Sequence, residues 1–240
     1  MPPDPLILAF DTSAAHCAAA LLLGGRIVAS AYEPMAKGQA ERLIPVLEKV
    51  LADEGAVWEE LDAIAVGIGP GNFTGIRIGV SAARGLALSL GIPSIGVSSF
   101  EIARGPASRD GPERQIVTLN GPRYTIYLQH FTDGHPFGGP RILGADERRN
   151  WIDHDLPVPP EGTELLGPYA EDLMLAFGNG APSLFPFHAS DIDWRRASGI
   201  IARVATEKLN RGGDIPAAKP LYVRAADAAP SAEAPPVILP

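Results

Sequence analysis

Apolar positions in the first part of the chain fall into short unbroken runs and then into helical stripes. Leu6-Ile7-Leu8-Ala9-Phe10 is a run of strand length, stopped by the polar triplet Asp11-Thr12-Ser13. Cys17 to Leu23 predicts a second strand, and Gly24-Gly25 is a two-residue hairpin signal leading to a third over Arg26 to Tyr32. The period then changes. Leu43, Val46, Leu47 and Val50 share one face of a helix over Glu41 to Leu51. A strand over Leu61 to Ile68, a helix from Thr74 to Leu90 and a strand over Pro93 to Val97 follow, and Ser98 or Ser99 caps a short helix through Ala103.

The helix after Gly69-Pro70-Gly71 is unusual. Ile76, Val80, Ala83, Ala87 and Leu90 recur at helical spacing, while Gly75, Gly79 and Ala83 form a second stripe without bulk. Interior glycines cost about 1 kcal/mol each against alanine, so Gly75, Gly79 and Gly85 together cost roughly 2 to 3 kcal/mol. Some group must approach that bare face closely enough to offset the loss: a neighbouring helix, a phosphate or a partner protein. Apolar residues (Ile76, Ile78, Val80, Leu86, Leu88 and Leu90) nearly encircle this helix, which predicts burial on more than one side.

Three early strands followed by alternating helices and strands specify an α/β layer with a mixed sheet. This is the ribonuclease-H-like order seen in each half of the actin, sugar-kinase and Hsp70 group, and the analogy concerns fold alone. Gly105 to Pro112 reads as a boundary. Beyond it Gln115 to Leu119 and Tyr124 to Phe131 predict two strands, Ala197 to Asn210 a helix, and Leu221 to Arg224 a returning strand. The expected division is an N-terminal lobe over 1–104, a smaller and divergent C-terminal lobe over 105–224, and a flexible tail over 225–240.

Charge narrows the function classes. Twenty Lys and Arg against 28 Asp and Glu leave a net charge of −8, which disfavours autonomous tight nucleic-acid binding. A basic set, Arg195, Arg196, Arg203, Lys208 and Arg211, reads first as a solvated helix face. No apolar run reaches the roughly 20 residues of a membrane span. Cys17 is the single cysteine, so neither an internal disulfide nor a cysteine metal cluster is available, and a cytoplasmic chain is expected.

Candidate chemistry is sparse. Asp11, Thr12 and Ser13 occupy the turn that faces nucleotide phosphates in the actin and kinase group, where an acid and hydroxyls can hold hydrated Mg²⁺. The competing reading is an aspartate that bonds its own turn. Neither phosphate-loop pattern fits residues 67 to 75, and no Lys lies between Lys49 and Lys208. His16, His130, His135, His154 and His188 show no spacing that pairs two ligands on one helix face, and His130 and His135 read as exposed hairpin residues. Cys17 sits in an apolar strand without an evident base. No catalytic residue and no metal site are assigned.

Specific motifs do stand out: Leu8-Ala9-Phe10-Asp11-Thr12-Ser13, Glu41-Arg42-Leu43-Ile44-Pro45, Gly69-Pro70-Gly71-Asn72-Phe73-Thr74-Gly75-Ile76-Arg77-Ile78-Gly79, Ile95-Gly96-Val97-Ser98 and Pro220-Leu221-Tyr222-Val223-Arg224. In order and spacing they strongly resemble the TsaB family, formerly YeaZ, across residues 6 to 103 and again near the end. The chain departs from family habit at Gln39, where many relatives have histidine, and at Asn120-Gly121-Pro122, where many have Asp-Ala-Arg. Residues 132 to 190 match nothing in the family pattern.

The resemblance implies a non-catalytic subunit of the machinery that makes N6-threonylcarbamoyladenosine at position 37 of tRNA. Such a subunit pairs with the catalytic subunit TsaD, helps recruit the ATPase TsaE, and meets tRNA only indirectly; alone it forms a homodimer. It implies no tightly bound cofactor, with ATP or ADP left open at the complex interface. The expected interface is Leu43, Val46, Leu47 and Val50 on the first helix with Ile76, Gly79, Val80 and Ala83 on the second. On that assignment Gly79→Leu should block pairing and leave the fold intact. Two rivals on the same fold are an ATP-dependent sugar or acyl kinase, with Asp11 and Thr12 at the phosphates, and a metallopeptidase.

Overall fold

The computed structural model describes residues 4–106, 111–144, 156–177 and 184–223. Strands β1 (Leu6–Asp11), β2 (His16–Leu23), β3 (Arg26–Pro34), β4 (Ala63–Gly67) and β5 (Ser94–Val97) form one sheet of order β3-β2-β1-β4-β5. The first three make an antiparallel meander, and β4 and β5 join β1 in parallel. Gly24 and Gly25, at φ 54° and 77°, supply the positive φ that a tight two-residue hairpin needs.

Side chains alternate across this sheet, so helices cover both faces. Leu8, Phe10, Ile64 and Val66 point to one side, under α1 (Gln39–Glu54) and α2 (Phe73–Leu90). Ile7, Ala9, Ala63 and Ala65 point to the other, under α5 (Trp194–Asn210). The predominance of alanine on that side matches Ala197, Ala202 and Ala205 of the helix. Helix α5 therefore packs on the first sheet, although it lies in the 105–224 stretch expected to form the second lobe.

A second sheet repeats the plan. It comprises β6 (Arg114–Asn120), β7 (Ile126–Thr132), β8 (His135–Leu143), β9 (Glu164–Leu166) and β10 (Phe187–His188), in the order β10-β9-β6-β7-β8. Again three antiparallel strands come first, and the later strands add in parallel. Helix α4 (Ala170–Phe177) closes one face through Leu173, Met174 and Phe177. On the other face Phe100, from α3 (Ser99–Arg104), packs with Val117, Leu119 and Phe131. Ser98 caps α3 reciprocally with Glu101, as expected of a capping box.

Strands β8 to β10 and helix α4 lie in the stretch that the hydrophobic pattern left unread. Leu221 is held not as a strand but by one bond, its N–H donating to the Ile68 carbonyl (2.9 Å), while the Ala218 N–H donates to Ser94 (3.1 Å). Arg224, His154 and the expected 225–240 tail lie outside the described residues. Among the described residues no helix is long and apolar enough to cross a membrane.

Candidate functional site

The turn between β1 and β2 lies directly beneath the first half of α2. Asp11, Thr12 and Ser13 are buried, with Asp11 fully inaccessible. One oxygen of Asp11, Oδ2, accepts from the Ser13 N–H (3.2 Å) and the Ser13 hydroxyl (3.0 Å), and His16 Nε2 lies 2.7 Å from it. The other oxygen, Oδ1, has no hydrogen-bond partner and rests against the bare Cα of Gly67, where an added methyl would stand 1.8 Å away. The Thr12 hydroxyl donates to the Gly75 carbonyl at 2.7 Å. The Asn72 N–H donates to the Ser13 carbonyl at 2.6 Å, and the Asn72 side chain caps α2 by accepting from the Gly75 N–H.

This geometry accounts for the glycine stripe. A Cβ at Gly71 would meet the Ser13 carbonyl oxygen at 2.3 Å, and one at Gly75 would meet the Thr12 carbonyl oxygen at 1.9 Å. At Gly79 it would meet Thr12 Oγ1 at 2.7 Å and Val66 Cγ2 at 3.3 Å. The group that approaches the bare face is the chain's own first turn, neither a phosphate nor a partner. Only Gly85 escapes this account: it is exposed, and nothing lies within 4 Å of its added Cβ.

The expected interface residues are consequently relocated. Leu43, Val46, Leu47, Val50, Ile76, Val80 and Ala83 all belong to the core beneath α1 and α2, each at most 3% exposed. An apolar stripe facing its own sheet has no surface left for another chain. The outer surface of the two helices is different in kind: Ile44 and Phe73 are exposed, and Leu88 is 85% exposed beside Gly85. Ile78, Ala82 and Leu86 lie half-buried along its edge. At the head of α2 the Arg77 guanidinium lies 3.7 Å over the Phe73 ring, and its Nε–H donates to the Tyr222 hydroxyl at 2.9 Å.

His16 partners Asp11, a pairing that the hydrophobic pattern does not reveal. An acid and a histidine flanking a four-residue turn between antiparallel strands are a cross-turn pair, and that spacing was the available signal. The His16 ring stacks on Tyr32 (5.4 Å between centroids) and packs against Trp194 (5.3 Å), which tie β3 and α5 to the turn. His130 is half-buried rather than exposed; burial, aided by the Arg141 charge, lowers its pKa. His135 is exposed and meets Arg211 at 2.7 Å. Among the described residues no three His, Cys, Asp or Glu side chains group as metal ligands.

Cys17 is fully buried, and burial pushes its thiol up to about 11, with the Glu33 charge adding to the rise. At pH 8 about one molecule in a thousand then carries the thiolate, which is the reactive form. Iodoacetamide at pH 8 should leave the native chain unmodified and label it at one site in denaturant. Rapid native labelling would show that β2 opens readily.

The chain matches the family model described as "TsaD: tRNA N6-adenosine threonylcarbamoyltransferase" over residues 33–133. It is 34% identical over 126 residues to the tRNA threonylcarbamoyladenosine biosynthesis protein TsaB of Escherichia coli, covering 52% of this chain and 54% of that protein. The chain thus spans about half the length of the curated relatives it matches. Among solved structures, YeaZ from Pseudomonas aeruginosa superposes with a TM-score of 0.64 at 28% identity, over 87% of this chain and 93% of that one. A ROK hexokinase from Thermus thermophilus shares the fold at a TM-score of 0.55 and 16% identity, over 86% of this chain and all of that one. Two mixed sheets of the same plan, the turn clamped under a glycine-bearing helix and these matches lead to one assignment: the chain has the actin, sugar-kinase and Hsp70 fold and is similar in sequence and structure to TsaB (YeaZ) proteins.

Proposed function

We propose that this chain is a non-catalytic accessory subunit in the formation of N6-threonylcarbamoyladenosine on tRNA. It pairs with a TsaD-type catalytic subunit through the outer faces of α1 and α2, and the pair recruits a TsaE-type ATPase. Without that partner the same faces join two copies of the chain. Nucleotide, where it takes part, belongs to the assembled complex, because Asp11, Thr12 and Ser13 are buried, with the Ser13 hydroxyl bonded to Asp11 Oδ2 and the Thr12 hydroxyl to the Gly75 carbonyl of α2.

The observation that carries this reading is the outer face of α2. An interior helical glycine costs about 1 kcal/mol, and Gly85 has no neighbour among the described residues to require it. It sits beside Leu88, an 85% exposed leucine, on a helix whose opposite side is already packed. Such a face suits close approach of a second helix.

The test is reconstitution on unmodified tRNA with the three other enzymes of the same organism. Product is expected to fall at least tenfold when the chain is omitted. Gly85→Leu should abolish co-elution with the TsaD-type subunit while its melting temperature stays at or above that of the parent. Undiminished product without the chain would refute the accessory role; normal pairing by Gly85→Leu would remove α2 from the interface.

A further inference from the structure

The basic set on α5 and at its C-terminal cap divides in two. Lys208 is engaged internally, its ammonium 2.7 Å from Glu101 and donating to the Gly96 carbonyl at 2.7 Å. Arg211 meets Glu207 and His135. Arg195, Arg196 and Arg203 have no carboxylate partner among the described residues. These three line a cleft of about 250 Å³ between α5 and the edge strand β3, together with Ser30, Ser198 and Gly199. Its lining holds three guanidinium groups and two hydroxyls but no acid and no aromatic ring.

Two of the three cations are held in place by the fold. The Arg195 guanidinium lies 5.2 Å over the Tyr32 ring, and an Arg203 Nη1–H donates to the Gly25 carbonyl at 3.0 Å. Among the described residues no side-chain oxygen is bonded to their remaining N–H groups, which face the cleft and its solvent. Gly199 is a further sign. A Cβ there would make only ordinary contact with Ile27 (3.5 Å), so internal packing does not demand glycine, and an interior helical glycine is otherwise a cost. Its bareness keeps the cleft floor open.

We propose that this cleft binds the phosphodiester backbone of RNA. Guanidinium forks match phosphate oxygens, and the absence of an aromatic platform or base-reading amides makes the contact one of position rather than sequence. Identifying the polyanion as RNA rests on the tRNA-modification reading above; the anion site itself rests on the three arginines. On a chain of charge −8, such a cleft confines RNA to one face. That face is opposite α1 and α2, so pairing through those helices leaves the cleft open.

The experiment is binding of a fluorescent unmodified tRNA transcript to the full chain, alone, from 25 to 200 mM salt. Replacing Arg195, Arg196 and Arg203 by Gln should weaken binding at least tenfold at 50 mM salt. The slope of log K against log salt should fall by about one unit for each arginine removed. The same charge change at Lys37, Lys49 and Lys219 should leave affinity within twofold. Because Arg203 anchors the β2–β3 turn, Arg196→Glu serves as the variant whose side chain makes no hydrogen bond or ion pair among the described residues, and it should weaken binding with an unchanged melting temperature. Equal losses in the arginine and lysine variants, or no binding by the parent chain, would overturn the proposal. So would tripolyphosphate binding that depends on the arginines while tRNA binding does not, which would assign the cleft to small phosphates. Failure of the reconstitution assay with arginine-dependent tRNA binding intact would reject the accessory role and leave the cleft standing.

Discussion

Gly75→Ala is expected to destabilise the protein by roughly 3 kcal/mol or more, at the upper end of what overpacking a core does. The added carbon would stand 1.9 Å from the Thr12 carbonyl oxygen, a backbone atom that cannot rotate away. Relief requires moving α2 off the turn, which breaks the Thr12 hydroxyl bond to Gly75 and the Asn72 bond to Ser13. Gly79→Leu should act in the same way against Thr12 and Val66, so its effect is on folding and not on pairing alone. Gly85→Ala provides the contrast, since nothing occupies its space and helix propensity should raise stability by up to about 1 kcal/mol. Urea midpoints of Gly75→Ala and Gly85→Ala, measured side by side, decide the matter. A Gly75→Ala chain as stable as the parent would mean that α2 does not lie on the turn as described.

The second large effect is expected from Asp11→Ala. One buried carboxylate oxygen meets the Ser13 N–H, the Ser13 hydroxyl and the His16 ring, so truncation strands several polar groups away from water. A buried donor left unpaired costs about 1 to 3 kcal/mol, and the sum here should reach roughly 3 kcal/mol or more by the same reckoning. The Tyr32 and Trp194 rings around His16 should lose their packing too, which near-ultraviolet circular dichroism and tryptophan fluorescence will report. A nucleotide-binding role for Asp11 predicts something else, a folded chain of near-normal stability that has lost a ligand. Denaturation of Asp11→Ala therefore separates a structural carboxylate from a functional one. An unchanged urea midpoint would reject the structural assignment.

Much of the first sheet could be read from periodicity because local pattern and burial agree there. The runs at 6–10 and 17–23 are continuous since both faces of the sheet are covered, and Gly24-Gly25 turns as its dipeptide chemistry demands. Beyond residue 131 the signal fails for identifiable reasons. Strand β8 contains two glycines and two prolines and is largely exposed, so it carries no clean alternation. Strands β9 and β10 have three and two residues, too short to show a period, and exist only through pairing with β6 and with each other. Helix α4, at eight residues, is held by the sheet it covers.

The candidate residues divide along the same line. The stripes Leu43-Val46-Leu47-Val50 and Ile76-Val80-Ala83 were legible as one face each, but a stripe does not say what it faces. A sheet, a sister helix and a partner chain all bury apolar area to the same advantage. Sequence by itself determined the elements of the first hundred residues, the order that yields a mixed sheet, and a bare stripe at Gly75 and Gly79 that something had to fill. Tertiary structure alone decided what fills it, the turn at Asp11 to Ser13, brought under α2 by strand pairings that join residues more than fifty positions apart. It also decided that α5 returns to the first sheet and sets beside β3 three arginines that have no carboxylate partner among the described residues. The reason is physical: period and propensity act over a turn or two of chain, whereas contact between distant segments depends on how whole faces pack.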